Sequence, residues 1–343
     1  MSAINRIIIA GNGFDLAHGL NTSYEDFINW YWGQWGKCLL HSQNKVETDG
    51  LCSFRLNDNI GLAGWYLVWG YYYHTRHHMS DKEIVNIVKN DSVLCEFHEN
   101  SNFFKRISSA IASKCWVDIE YEYYNELNNQ YFKQPQTLNK EFELIKKKLI
   151  EYLSYIQDLI IKESILIPKL KDIIFAPVKI NEVAISARPQ LVNFLRARYF
   201  GNNDIWDVSI GERLGFNKDK KNLNSINEFS KNWGEQIEHL GIESVLDQNV
   251  IPEVMLYPNR LMLLNFNYTN TADLYFPQDE NEHYWFPINH IHGKISDPSN
   301  IIFGYGDELD EKYKEIIKLN NNEYLQNIKS IGGFYQFHFL FLA

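Results

Sequence analysis

The pattern of apolar and polar positions opens on an unbroken run, Arg6-Ile7-Ile8-Ile9-Ala10. β-branched residues without polar alternation predict a parallel strand buried on both faces. A second such run, Arg260-Leu261-Met262-Leu263-Leu264-Asn265-Phe266, predicts another core strand. Between them the period lengthens. From Asn21 the pattern is helical, with Thr22 or Ser23 as cap, Glu25 and Asp26 in the first turn, and Phe27, Trp30 and Tyr31 on one face. Residues 37–59 are polar and irregular and read as a loop. Residues 62–73 are apolar nearly all round and predict a buried helix. Residues 81–88 and 93–112 predict further helices, and Trp116-Val117-Asp118-Ile119-Glu120 starts another. The clearest helix runs from 138 to about 162. Leu138, Phe142, Ile145, Leu149, Tyr152, Ile156 and Leu159 step along it by fours and threes. Beyond Pro168, Ile173-Ile174-Phe175 reads as a strand and 189–199 as a helix, whereas 204–231 is polar and gives no assignment.

Polar residues and glycine follow several of the apolar runs. The first strand breaks at Gly11-Asn12-Gly13. Glycine allows a sharp turn and lets a ligand approach where a Cβ would block it. A helix starting at Phe14 would aim its free N–H groups at that gap and favour a phosphate. Leu16 stands where the dinucleotide fingerprint has its third Gly or Ala. The other polar ends are Asn265–Thr271, His290–Gly293 and Gly304–Asp307. In open α/β sheets, ligands bind outside the carboxyl ends of strands, so these four ends are the candidate site. Turn-making Asn and Thr, a structural His and a helix-capping loop are the plain readings of the same residues. The expected fold is α/β: a Rossmann-like parallel sheet in a single domain over 1–343, with a large mostly helical insertion at about 60–165.

Composition narrows the classes. A length of 343 residues allows a sizeable core. Abundant Tyr, Phe and Trp with only 9 Pro argue against disorder. The formal charge of −10 gives no overall pull towards nucleic acid. Cys38, Cys52, Cys95 and Cys115 are far apart and form no Cys-x-x-Cys pair, which suits reduced thiols better than disulfides or a zinc module. The N-terminal apolar run is too short for a signal peptide, and the greasy stretch at 61–73 is too short to span a bilayer. The expected location is the cytoplasm, away from membranes. His74, His77 and His78 cluster, with His74 and His78 on one helix face, but no Glu or Cys completes a metal-binding pattern, so no metal is expected. Lys146-Lys147-Lys148 reads as the solvated edge of the long helix. No Gly-x-Ser-x-Gly elbow or Walker A sequence is present.

The stretch from Ala10 to Phe27, Ala-Gly-Asn-Gly-Phe-Asp-Leu-Ala-His-Gly-Leu-Asn-Thr-Ser-Tyr-Glu-Asp-Phe, resembles the opening motif of the bacteriophage abortive-infection AbiH family. Trp116–Glu120, Asn265–Thr271, Ile291-His292-Gly293 and Ile302–Asp307 are similar to its later motifs, in order. The resemblance spans most of the chain and implies bacterial anti-phage defence. Family members usually continue with a further strand ending in a Gly-His-Ser-like motif. Here Tyr324–Ser330 fits, but Ile331–Ala343 does not. The expectation is a truncated or frameshifted C-terminus that lacks the last strand and helix and leaves an apolar edge.

A more distant resemblance is to sirtuin-like NAD-consuming domains. Gly11, Gly13, Gly19 and Leu20 match the spacing of their opening motif. Asn265-Phe266-Asn267-Tyr268-Thr269 and His292-Gly293 are similar to their Thr-Asn-Tyr-Asp and His-Gly motifs, with Thr269 in place of Asp. The zinc-binding cysteines of sirtuin deacylases have no counterpart, which leaves NAD hydrolysis as the implied chemistry. On that analogy His292 is the general base, Asn267 bonds the ribose or positions water, and Gly11 and Gly13 hold the diphosphate. Asn12, Phe14, Asn265, Thr269, Gly293, Gly304 and Asp307 would complete the nucleotide site. Asp15 reads two ways, as a ribose ligand or as a stabiliser of its own helix start. If 290–292 is extended, His290 and His292 face one side and His290 shapes the pocket. The expectation is a cytoplasmic abortive-infection effector that hydrolyses NAD. The alternative is a non-catalytic nucleotide sensor or interaction protein in the same defence role. A nuclease is disfavoured by the acidic balance and the lack of a metal-carboxylate motif. Besides the nucleotide, the partners considered are a phage-derived trigger and a second copy of the chain.

Overall fold

The computed structural model describes residues 4–41, 44–75, 80–114, 117–128, 135–162, 166–193, 256–258, 260–276, 286–304 and 310–328. They are mixed α/β and fall into two compact units. The first unit comprises Met1–Gly11, Ile165–Phe266 and Asn270–Ile291; the second comprises Asn12–Ser164, Asn267–Thr269 and His292–Ala343.

The first unit holds a parallel three-stranded sheet made of β1 (Asn5–Ala10), β5 (Arg260–Asn265) and β6 (Ile288–His290), in the order β1-β5-β6. Both apolar runs expected to be strands are strands, and they pair with each other. The register places Ala10 beside Asn265, and Asn265 beside His290. Three strand ends far apart in sequence therefore form one row at the carboxyl edge. Leu261, Leu263 and Asn265 of β5 are buried. β1 departs from the expected two-sided burial, because Ile7 is 61 % and Ile9 70 % exposed. It stands at the end of the strand order, so one flank has no paired strand among the described residues. The run 173–175, expected as a strand, is the last turn of α8 (Pro168–Phe175). Three apolar residues carry no period, and Pro168 at the first helical turn decides the matter. Phe175 packs against Phe276 and Phe286, and the Arg6 guanidinium donates to the Ile174 carbonyl at 2.7 Å. Residues 188–193 are helical, and the remainder of the helix expected there lies outside the described residues.

The second unit is mostly helical. It contains α1 (Asn12–Ala17), α2 (Tyr24–His41), α3 (Leu62–Thr75), α4 (Asp81–Asn90), α5 (Asn102–Lys114), α6 (Ile119–Asn128), α7 (Pro135–Lys162), α9 (Glu311–Leu319) and α10 (Asn322–Leu325). Ser23 caps α2: its hydroxyl accepts from the Asp26 N–H at 3.1 Å while the Asp26 carboxylate accepts from the Ser23 N–H. The α7 stripe buries Leu138, Phe142, Ile145, Leu149, Tyr152 and Ile156, whereas Leu159 is exposed. Phe142 stacks on Phe303 at 4.8 Å and on Tyr123 at 4.2 Å.

An antiparallel sheet was not foreseen. β2 (Val46–Thr48), β3 (Cys52–Leu56) and β4 (Cys95–Glu99) pair in the order β2-β3-β4. β2 and β3 fall in the expected loop at 37–59, and β4 falls in the expected helical stretch at 93–112. In β3 the period of two is present, since Cys52, Phe54 and Leu56 are buried in alternation. Strands this short are legible only with their partner, and β4 is contributed from about forty residues further on. α3 is a helix as expected but is not buried all round: Trp65 is buried and Leu67 is 75 % exposed. Among the described residues, no helix is long and apolar enough to cross a membrane.

Candidate functional site

The helix after the first strand starts at Asn12, two residues earlier than expected, and runs for six residues. It ends where Gly19 adopts a φ of +75°, with the Gly19 N–H on the Leu16 carbonyl and the Leu20 N–H on the Asp15 carbonyl. Asn12 Oδ1 accepts from the Thr22 hydroxyl at 2.7 Å, and His18 packs on Phe14 with ring centroids 4.6 Å apart. Asp15 points inward and is buried. The Thr269 hydroxyl donates to its Oδ2 at 2.6 Å, and Thr269 is buried too. Neither of the two expected readings of Asp15 included this partner. Asn267 is buried close by in sequence.

Tyr268 lies at the centre of a second group in the same unit. Its phenol oxygen is 3.2 Å from Glu120 Oε1 and 3.4 Å from the Ile302 carbonyl. Glu120 Oε1 also accepts from the Gly304 N–H at 3.2 Å. The Tyr268 carbonyl accepts from the Ile295 N–H, and the His292 carbonyl from the Ile302 N–H. The Tyr268 ring lies 5.8 Å from the His292 ring, tilted by 38°. Burial, then the Glu120 carboxylate, holds the Tyr268 phenol well above its ordinary pKa. The same two causes, with Asp118, raise Tyr24. Both phenols stay protonated at neutral pH, and the Tyr268 hydroxyl donates to Glu120.

The sequence profile described as bacteriophage abortive infection AbiH matches residues 7–337. The chain belongs to this family. No curated protein and no solved structure matches it. All the AbiH motif stretches read from the sequence lie inside the matched range, and in the second unit they supply Asp15, Glu120, Tyr268, Thr269, His292 and Gly304 to the two groups just described. Glu120 and Tyr268 were not among the expected site residues of this AbiH chain. The signal for Glu120 was the Trp116–Glu120 motif, whose acidic end had no assigned partner, and that for Tyr268 was the Asn265–Thr271 motif.

Other expectations change with the geometry. The run at 301–303 is not a strand, so Gly304 follows an irregular segment and not a strand end. Asp307 lies outside the described residues, as do the side chain of His74 and the whole of His77 and His78. β6 ends at His290 and the chain turns at 291–292, so the alternation that would place both histidines on one side does not apply. His290 belongs to a separate cluster in the first unit. Its Nε2 is 2.8 Å from Asp273 Oδ2, and the Asn265 amide donates to Asp273 Oδ1 at 3.3 Å. All three residues are buried, and His290 Nδ1 has no hydrogen-bond partner among the described residues. Asp273 was not anticipated.

The glycines separate into two kinds. A Cβ on Gly293, whose φ is +82°, would meet the Asn300 carbonyl, and one on Gly304 would meet the Asn327 carbonyl. A Cβ on Gly11 or Gly13 would meet no atom of the described residues within 4 Å, and neither has a positive φ. A cleft of about 250 Å³ in the second unit is lined by Trp30, Tyr31, Trp35, Glu47, Asp49 and Lys148 among others, and by none of the expected site residues.

Proposed function

We propose that this AbiH chain is an abortive-infection effector that binds NAD and hydrolyses its nicotinamide–ribose bond. The observation that carries the reading is Gly13, for which the fold supplies no reason. No positive φ and no neighbouring described atom excludes a side chain there. Close approach of a diphosphate does. The parallel β1–β5 pairing ahead of Gly11 supports a Rossmann-like reading of the sheet, and the sirtuin-like motifs supply the choice of nucleotide.

The chemistry is glycoside cleavage. The N-glycosidic bond breaks, its electron pair leaves with the nicotinamide nitrogen, and positive charge develops on the ribose. Water adds at the anomeric carbon and gives a proton to His292 as general base. Asn267 orients the ribose or the water, and Asp15, held by Thr269, fixes the first turn around the nucleotide. The second reading is a nucleotide sensor without catalysis in the same defence role. Incubating the purified full chain with NAD separates the two. Release of free nicotinamide that is lost in His292→Ala supports hydrolysis, whereas saturable NAD binding with no release supports the sensor. Absence of both would sink the nucleotide reading.

A further inference from the structure

Of the two groups in the second unit, the one around Tyr268 has a use that the hydrolysis scheme does not include. Three parts of the chain converge there, and each is held by the others. Glu120, at the start of α6, accepts from Tyr268 and from the Gly304 N–H with a single oxygen. Ile302 donates its N–H to the His292 carbonyl, and its own carbonyl lies near the Tyr268 hydroxyl. Ile295 donates to the Tyr268 carbonyl. Gly293 takes the positive φ that turns the chain between these contacts. His292 is thereby fixed through its backbone by Ile302, and its imidazole lies against the Tyr268 ring.

We infer that Tyr268, anchored by Glu120, is the positioning residue for the His292 imidazole. The inference rests on the proposed role of His292. A base must be held within tight limits to meet its proton, and side chains that lock its ring act on rate without touching substrate. An aromatic partner fixes the ring plane. A phenol bonded to a carboxylate is itself held more firmly than one bonded to a neutral acceptor. Tyr268 would otherwise be a half-buried aromatic that bridges two loops, and in that role the loss of its hydroxyl would affect stability alone.

The test is a double-mutant cycle on the full chain, read by nicotinamide release and by the His292 ring signals in an NMR spectrum of histidine-labelled protein. The His292 signals are identified by their loss in His292→Ala. Tyr268→Phe keeps the ring and removes the anchor; the expected result is about a tenfold fall in kcat with KM within about twofold. Glu120→Ala should fall at least as far, because it also frees the Gly304 N–H, and adding Tyr268→Phe to it should cost no further rate, because the Tyr268–Glu120 bond is already broken. Glu120→Gln, whose amide oxygen still accepts, should recover most of the rate. The His292 signals should move in Tyr268→Phe and Glu120→Ala but not in Tyr152→Phe, which removes a hydroxyl bonded to the Asn21 carbonyl. Unmoved His292 signals in both variants, or losses that add in the double variant, overturn the positioning role while leaving hydrolysis intact. If the wild-type chain releases no nicotinamide, the hydrolysis reading fails, and the ring signals alone decide whether Tyr268 positions His292. Should Glu120→Ala not fold, Tyr268→Phe and Glu120→Gln carry the same comparison.

Discussion

Glycines 293 and 304 stand where backbone meets backbone, while Gly13 stands where nothing described comes near. The same residue type thus has two kinds of surroundings in one unit. Around Gly293 the chain turns through a positive φ and presses on the Asn300 carbonyl, and Gly304 presses on the Asn327 carbonyl. There, glycine is a condition of folding. At Gly13 the described residues leave room for a side chain, and on the proposed reading the requirement for glycine comes from the nucleotide. Packing alone accounts for two residues expected to touch a nucleotide, and among the described residues it gives no such reason for Gly13.

The difference can be tested by substitution. The largest effect belongs to Gly293→Ala. A positive φ and a collision with backbone together should cost roughly 2–5 kcal/mol, seen as a lowered urea midpoint. A melt unchanged from wild type would mean that the turn at 293 is not as tight as described. The histidines extend the contrast. His290→Ala takes away the imidazole that the buried Asp273 carboxylate faces at 2.8 Å, and should destabilise by roughly 2–4 kcal/mol. His292→Ala should lower stability by less than about 1 kcal/mol, because its ring is half-buried, and should act on nicotinamide release instead. Equal losses of stability in the two variants would place both histidines in a purely structural role. The smallest stability effect belongs to Gly13→Val. Its circular-dichroism spectrum should match wild type and its stability should change by only roughly 0.3 kcal/mol, the Gly-to-Val difference in helix propensity. Nucleotide binding should nevertheless disappear, and retained affinity would sink the phosphate-loop reading.

Much of the site chemistry was legible as residue types but not as partners. Thr269 read as a departure from the sirtuin-like motif, and the structure makes it the hydrogen-bond partner of Asp15. His290 read as a pocket-shaping neighbour of His292, and the structure gives it Asp273 instead. Glu120 was visible in a motif and had no role until Tyr268 and Gly304 were placed beside it. In each case the missing information was a contact between distant positions, which composition and local spacing do not encode.

The sequence by itself determined the elements whose pattern is strong over their own length. These are the strands at Asn5–Ala10 and Arg260–Asn265, the helix Pro135–Lys162 with its buried stripe, the cap of Tyr24–His41 and the family. Apolar periodicity and capping act within one or two turns or a single strand, so a reader of the chain meets them directly. Only the tertiary structure decided which strands are neighbours, that β2, β3 and β4 exist, and that Ala10, Asn265 and His290 share a row. It alone brought Thr269 to Asp15 across 254 positions and Tyr268 to Glu120 across 148. Such contacts form when sheet register and core packing are satisfied together, and their free energy belongs to the assembled unit and not to any local segment.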